Sequence, residues 1–495
     1  MKFAATFVIE HFLSFVNFTK NTFSHILSIM TKRQRTLLFF ILLTSFIILA
    51  PSFVLYSQGY RIDITGGRIT QTGAFYFKVA PARADIFVDG TLIKRTDFLF
   101  GSALTKNFFP GSYFLEITKE GYHSWQKILE IKERQVTEAK NILLFKKSPA
   151  FQKLADRVER FWISPNMQYA LLLQREPETS WQLNLLNLKT GEIELFMERV
   201  GTKNEIFDIQ WAEDSRRFLL HATYAKQLVS EVHNIATNQP CFKLPCSLEY
   251  LGYDIENVQF SPATPDQILF TRFLNTTQVL FTAKYVEQKM AVPIANNVAA
   301  LTSYGDYVFW LDNNGTLRQK NLAINDEEQV FQESVFTPKR ETTYELLIAG
   351  NAILIKEDTA LFLHERNSLK RREILSPVLE VAVGPGGNKI ALRNQSELWV
   401  FFLYEETEQP QRQKGELVLL TRFSQPPQQL SWVDSSYLLF SLGEIIRGAE
   451  IDTRDRLNVI DLASFPEHEF FWDNEKGTLY ILSEGTFFVS EKVVR

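Results

Sequence analysis

Apolar and polar positions change period three times along the 495 residues, and each period predicts a different element. Over 1–31 the polar residues Glu10, Ser14, Asn17, Asn21, Ser24 and Ser28 recur every three or four positions. Phe12, Phe15, Val16, Phe23, Ile26, Leu27 and Met30 fill the rest of the surface. That spacing predicts an amphipathic helix in the cytoplasmic headgroup layer of a membrane. From 36 to 55 no charge occurs and fourteen positions are Leu, Ile, Phe or Val, among them Leu37, Phe40, Leu43, Ile47 and Leu49. At about 1.5 Å per residue this stretch is roughly 30 Å long, the hydrocarbon thickness of a bilayer, and predicts a transmembrane helix. Pro51 is expected to kink it or end it early. From 59 to 147 the period falls to two: Phe75, Phe77 and Val79, then Ile86 and Val88, then Tyr113, Leu115 and Ile117, then Ile128, Leu129 and Ile131. The turn pairs Gly66-Gly67, Asp89-Gly90, Pro110-Gly111 and Glu120-Gly121 separate these runs and predict a small antiparallel β-sandwich.

Beyond residue 150 one unit recurs: an apolar strand end, a small or acidic turn, and a second apolar strand. It is seen at Ile163-Ser164-Pro165-Asn166, Trp211-Ala212-Glu213-Asp214, Phe260-Ser261-Pro262, Val383-Gly384-Pro385-Gly386, Trp432-Val433-Asp434 and Trp472-Asp473-Asn474. Weaker copies stand at Tyr304-Gly305-Asp306 and Ala349-Gly350-Asn351. A repeat of about 40–50 residues with some four strands each predicts propeller blades, eight of them with seven as the fallback. The segment 151–154 is expected to supply the strand that closes the ring and removes the free sheet edge. The fold class is therefore mainly all-β: an N-terminal transmembrane helix, a small sandwich and a C-terminal β-propeller. The predicted divisions are 1–31, 36–55, 59–147 and 150–495.

Two resemblances follow from these motifs. Pro81-Ala82-Arg83-Ala84, the Val88-Asp89-Gly90 turn, Pro110-Gly111-Ser112-Tyr113 and Lys119-Glu120-Gly121-Tyr122 with Trp125 resemble the PEGA domain over about residues 73–147. Of the tetrapeptide that gives the family its name, only Pro81 and Ala84 match. The resemblance implies an extracytoplasmic β-sandwich without catalytic residues, with Tyr122 and Trp125 in its core. The recurring apolar–Ser–Pro element is similar to TolB-type propeller repeats, although Asn166, Asp214 and Gly386-Gly387 only partly echo that family's turn.

Charge then orients the chain. Lys32, Arg33 and Arg35 precede the apolar run, and the nearest bases after it are Arg61 and Arg68. The excess places the N-terminus in the cytoplasm and residues 59–495 outside, on an uncleaved anchor of the cytoplasmic membrane. A net charge of −4 gives no field suited to nucleic acid. Cys241 and Cys246 either pair across a hairpin or remain two thiols, and their surroundings supply too few ligands for a metal.

Chemistry-bearing motifs are scarce. The seven histidines form no zinc-hydrolase pair, and no nucleophile elbow, P-loop or dinucleotide fingerprint occurs. Gly384-Pro385-Gly386-Gly387-Asn388 and Asp312-Asn313-Asn314-Gly315 read as hairpin turns rather than a phosphate cradle or a calcium loop. Lys370-Arg371-Arg372 reads as a solvated strand or loop. No catalytic, cofactor or metal residue is assigned. The expected function is binding or scaffolding, with the propeller recognising a protein or a cell-envelope glycan. The alternative is a propeller-based glycan lyase or hydrolase using the turn acids Asp214, Asp306 and Asp434.

Overall fold

The computed structural model describes residues 31–494 apart from 64–66, 177–179, 201–204, 225–226, 237–246, 265, 325, 334–335, 340 and 365–370. The amphipathic stripe of 1–31, apart from Thr31, and both cysteines lie outside the described residues. By contact the chain divides into two units. One comprises Met1–Tyr76, Leu104–Tyr113 and Glu130–Thr137, and the other Phe77–Ala103, Phe114–Leu129 and Glu138–Arg495.

The first unit holds helix α1 (Lys32–Ser57), which is long and apolar enough to cross a membrane and has no buried residue. Leu37, Phe40, Leu43, Ile47 and Leu49 are all exposed on it. The Thr31 backbone N–H donates to Gln34 Oε1 at 2.9 Å, closing one orphan amide of the first turn. Pro51 does not end the helix, which continues to Ser57. Near the other end Arg61 donates to the Tyr56 carbonyl at 2.8 Å and lies 3.7 Å from its ring centre, so a cation meets the negative end of the helix dipole. Strands β1 (Tyr60–Asp63) and β2 (Arg68–Gln71) pair antiparallel directly after it.

Seven strands follow: β3 (Gly73–Ala80), β4 (Asp85–Val88), β5 (Thr91–Arg95), β6 (Ser102–Phe108), β7 (Gly111–Thr118), β8 (Trp125–Ile131) and β9 (Val136–Leu143). They form two sheets, ordered β6-β3-β9 and β5-β4-β7-β8. Alternation decides which side chains are inward: along β8 every second residue is buried, at Trp125, Lys127, Leu129 and Ile131. Ile128, expected with the apolar run, falls on the other phase and turns outward. The β4–β5 turn has Asp89 at φ 47° and Gly90 at φ 77°, the two positive values expected of Asp-Gly there.

In the second unit, residues 151–490 make eight antiparallel sheets. Sheets 1 to 7 occupy 158–200, 205–234, 255–295, 298–332, 344–375, 380–422 and 427–464. Sheet 8 combines 468–490 with β10 (Phe151–Ala155), which pairs antiparallel with the last strand, placing Phe151 opposite Ser490. The second strand of each sheet is apolar nearly throughout because it is covered on both sides. In sheet 1, Leu171 and Leu173 pack toward sheet 2 while Ala170 and Leu172 pack toward sheet 8. Every junction between successive sheets has its own buried cluster, including the one joining sheet 8 to sheet 1. An open row of eight sheets would have one junction fewer than it has sheets. The cyclic arrangement is that of a β-propeller.

Candidate functional site

The eight repeated turns all join the first and second strands of a sheet, so they share one face of the ring. Their acids are engaged by their own backbone. Asp214 Oδ1 accepts from Arg216 and Arg217 N–H at 2.9 and 3.1 Å, and Asp434 Oδ1 accepts from Ser436 and Tyr437 N–H at 2.7 and 3.0 Å. Burial pushes the Asp214 carboxyl up, but the turn N–H groups and Arg217 outweigh it and hold the group below its ordinary value. Asp306 stands exposed in the tight Tyr304–Tyr307 turn of sheet 4. The three acids belong to sheets 2, 4 and 7, and Asp214 and Asp434 each cap their own hairpin.

Other candidates are structural in the same way. Asp312 is 5% exposed, accepts from Asn314 and Thr316 N–H and pairs with Arg318 at 2.9 Å, as a hairpin turn requires. Among the described residues no group of three His, Cys, Asp or Glu is placed to hold a metal ion. Arg371 departs from the solvated reading, while Arg372 stays exposed on its strand. Arg371 pairs with Glu357 at 2.6 Å and lies 3.8 Å from the Phe362 ring centre, while Arg372 donates to the Gly415 carbonyl of sheet 6 at 2.9 Å. Planar guanidinium groups stack and fork at once, which turns this basic run into mortar between sheets. Lys370 is outside the described residues.

The PEGA-like residues mostly shape backbone. Ala84 is fully buried, and its N–H donates to Thr96 Oγ1 at 2.9 Å. Gly121, at φ 80°, offers its carbonyl to Lys147 N–H. Pro81 precedes the β4 strand, Pro110 and Gly111 open β7, and Tyr122 is half-buried in a bridge with Lys146.

Trp125 leads to a site that local patterns do not reveal. Its Nε1–H donates to Glu450 Oε2 at 2.8 Å, and Lys127 Nζ lies 2.6 Å from Glu450 Oε1. Lys127 is fully buried and also donates to the Asp452 carbonyl at 2.6 Å. Asn458 Nδ2 completes the shell around Glu450 at 2.7 Å. Burial pushes the Glu450 carboxyl up from its ordinary value, and the Lys127 ammonium opposes that shift. Arg454 forks onto Asp452 and donates to the Glu138 carbonyl at 2.9 Å, and Ile128 N–H donates to Asp455 at 2.7 Å. A buried charge pair with neutral donors on both carboxylate oxygens holds position and register more than it adds stability.

Beside this lock a cavity of about 310 Å³ opens between the 138–143 segment and sheets 6 and 7. Lys140, Lys389, Glu405, Glu406, Arg412 and Tyr437 line it. Lys389, 5% exposed, pairs with Glu406. Arg412 spans Glu416 at 2.9 Å and Thr453 Oγ1 at 2.6 Å, with its buried Nε lacking a partner. Such a cleft presents fixed donors and acceptors of both signs to a polar ligand. The one signal for the lock in the sequence is Lys127 on the inward phase of an alternating strand.

A Ser–His pair also escaped the motif search. Ser441 Oγ lies 2.7 Å from His468 Nε2, and His468 Nδ1 is 2.7 Å from the Phe465 carbonyl. The carbonyl fixes the proton on Nδ1, leaving Nε2 to accept from the hydroxyl. Ser441 is only 3% exposed, so the pair ties the end of sheet 7 to the start of sheet 8, out of a substrate's reach.

No protein-family model matches the sequence, and no curated protein matches it. Among solved structures the chain is similar to the C-terminal WD40 domain of Sif2, at 9% identity and TM-score 0.45, covering 70% of this chain and 99% of that one. It is similar to the Dos1 propeller at 9% identity and TM-score 0.44, covering 70% and 94%. It is also similar to the computationally designed Ika8 protein at 14% identity and TM-score 0.42, covering 70% and 98%. At these scores the likeness adds nothing to what strand pairing and the inter-sheet cores establish.

Proposed function

We propose that the chain is a single-pass membrane protein that displays a recognition head outside the cytoplasmic membrane. In this reading 1–31 lies on the cytoplasmic surface, 36–55 crosses, 59–147 is a PEGA-like sandwich and 150–495 is an eight-bladed propeller. Lys32, Arg33 and Arg35 set the orientation. They sit in the first turn of α1, which holds no acid, where the helix dipole disfavours cations. Anionic headgroups on the cytoplasmic side favour cations at that end of the helix.

The head acts by binding a protein or a cell-envelope glycan. The observation that carries this is the charged cleft beside the Trp125–Lys127–Glu450 lock, held on a closed ring whose turn acids Asp214 and Asp434 cap their own hairpins. Rigid sheets with functional loops on one face form a binding platform. A photo-crosslinking residue at Glu405, which lines the cleft, is expected to give one defined adduct in intact membranes. The same residue at Lys189, exposed on sheet 1, is expected to give none. Arg412→Ala should reduce the Glu405 adduct several-fold. Equal labelling from both positions, or turnover of cell-wall glycan by the purified full chain, refutes the binding reading.

A further inference from the structure

We propose that residues 97–101 form a tip that inserts into the interfacial layer of an anionic phospholipid bilayer, giving the ectodomain a second membrane contact. The loop from β5 to β6 carries Phe98, Leu99 and Phe100 in succession, and they are 65%, 68% and 74% exposed. Turn residues ordinarily occupy such a place, and contiguous large apolar groups in water mark a contact surface.

The loop is rigid by construction. Asp97 Oδ1 accepts from Leu99 N–H at 3.0 Å and Phe100 N–H at 2.6 Å, and Oδ2 from Ser102 N–H at 2.7 Å and Ser102 Oγ at 2.5 Å. Gly101 closes it at φ +65°, where an added Cβ would stand 2.1 Å from the Val79 carbonyl oxygen. The backbone that carries the three exposed side chains is thus fixed by the loop's own hydrogen bonds.

Charge names the occupant. Lys78 and Arg83 are exposed on the same segment, and the Arg83 guanidinium lies 5.9 Å from the Phe98 ring centre. Asp85 is taken by Arg95, and Asp97 by its own loop. An apolar tip among bases fits the headgroup boundary, where rings sit at the glycerol level and cations among phosphates. The tip's own amides are spent on Asp97, which suits a layer that demands no hydrogen-bond complementarity. The inference rests on α1 spanning the membrane. Roughly forty residues separate Ser57 from Asp97, so tip binding is intramolecular and weak intrinsic affinity suffices.

The test uses the full chain with Cys241→Ser and Cys246→Ser, in phosphatidylcholine–phosphatidylglycerol nanodiscs carrying doxyl-labelled lipid. A fluorophore is placed singly through Leu99→Cys, Glu120→Cys or Ile47→Cys. Quenching at 99 is expected to exceed that at exposed position 120 by at least about twofold. The excess should vanish with Phe98→Ser plus Phe100→Ser, and shrink in discs without phosphatidylglycerol. A label at 99 quenched no more than at 120, while 47 is quenched, overturns the tip and leaves the anchor standing. Shielding at 99 from aqueous iodide without doxyl quenching means that protein covers the tip, and also overturns it. An unquenched label at 47 strikes down the spanning reading and the tip together.

Discussion

Lys127 is the residue on which most depends, because its ammonium is the counter-charge of a carboxylate sealed from water. Lys127→Met leaves Glu450 buried with only neutral donors, at a cost of about 3–5 kcal/mol. Chemical denaturation should show that loss, and the double variant Lys127→Met with Glu450→Gln should recover most of it. A single variant as stable as wild type would mean that water reaches the pair. His364 offers a second test at this scale. It is buried, neither ring nitrogen has a partner among the described residues, and burial reinforced by Arg371 lowers its pKa to about 4. The folded state therefore prefers the neutral ring. The stability it contributes is full above the unfolded value near 6.5 and is lost as pH falls from there toward about 4. The thermal midpoint should drop over that window, and His364→Phe should flatten the drop.

At the scale of elements, the turns explain why weak motifs yield a regular fold. Each needs only an acid, an asparagine or a glycine to close it, so the spacing recurs while the letters vary. The turn at Gly384–Asn388 is the extreme case. Gly387, at φ +67°, meets the Gly350 turn of sheet 5 so closely that a Cβ would lie 2.2 Å from the Gly350 nitrogen. Gly387→Ala should cost about 1–3 kcal/mol from backbone strain alone, with the clash on top. Gly191→Ala, at φ +77° in open space, should cost only about 1 kcal/mol. Equal melting of the two variants would show that the neighbouring turn yields freely. Between sheets a quieter regularity appears. Trp211 Nε1 donates to the Trp162 carbonyl at 3.1 Å, and Trp432 Nε1 to the Ala382 carbonyl at 2.9 Å, each bridging to the preceding sheet. The tryptophans are plain in the repeat, but nothing in one strand tells which carbonyl of another it will meet.

For the whole molecule, what could be read in advance was what the chain encodes locally: the uncharged run of α1, the alternation of β3, β4, β7 and, Ile128 apart, β8, and a spacing that placed all eight turns. The closing strand at 151–154 was legible too, because the last repeat lacked one. The lock was not, since Trp125 and Glu450 are 325 residues apart and each looks ordinary among its neighbours. Arg371 misled for the same reason: three adjacent bases suggest solvent until Glu357 and Phe362 from neighbouring strands are in place. Ring closure makes a global prediction. Replacing 151–154 by Gly-Ser should free the edge 486–490, lower the thermal midpoint and promote association through that edge. An unchanged midpoint would place the closure elsewhere.

The closing strand is also the point where tension enters the ring. A load on a bound ligand, resisted from the N-terminal side, arrives through Lys146–Ala150 at the first residue of β10. Phe151 faces Ser490 near the chain's end, so pulling there peels the pair open one rung at a time instead of shearing all rungs together. Glu491 sits at that rung as a clasp. Its carboxylate holds Lys146 Nζ at 2.6 Å and Ala150 N–H at 3.0 Å, and its own N–H donates to the Ala150 carbonyl at 2.8 Å. The carboxylate's two bonds thus reinforce the rung that the backbone N–H closes, and Glu491→Ala, which removes those two, should lower the rupture force of the propeller in single-molecule pulling while leaving its resting melting temperature nearly intact.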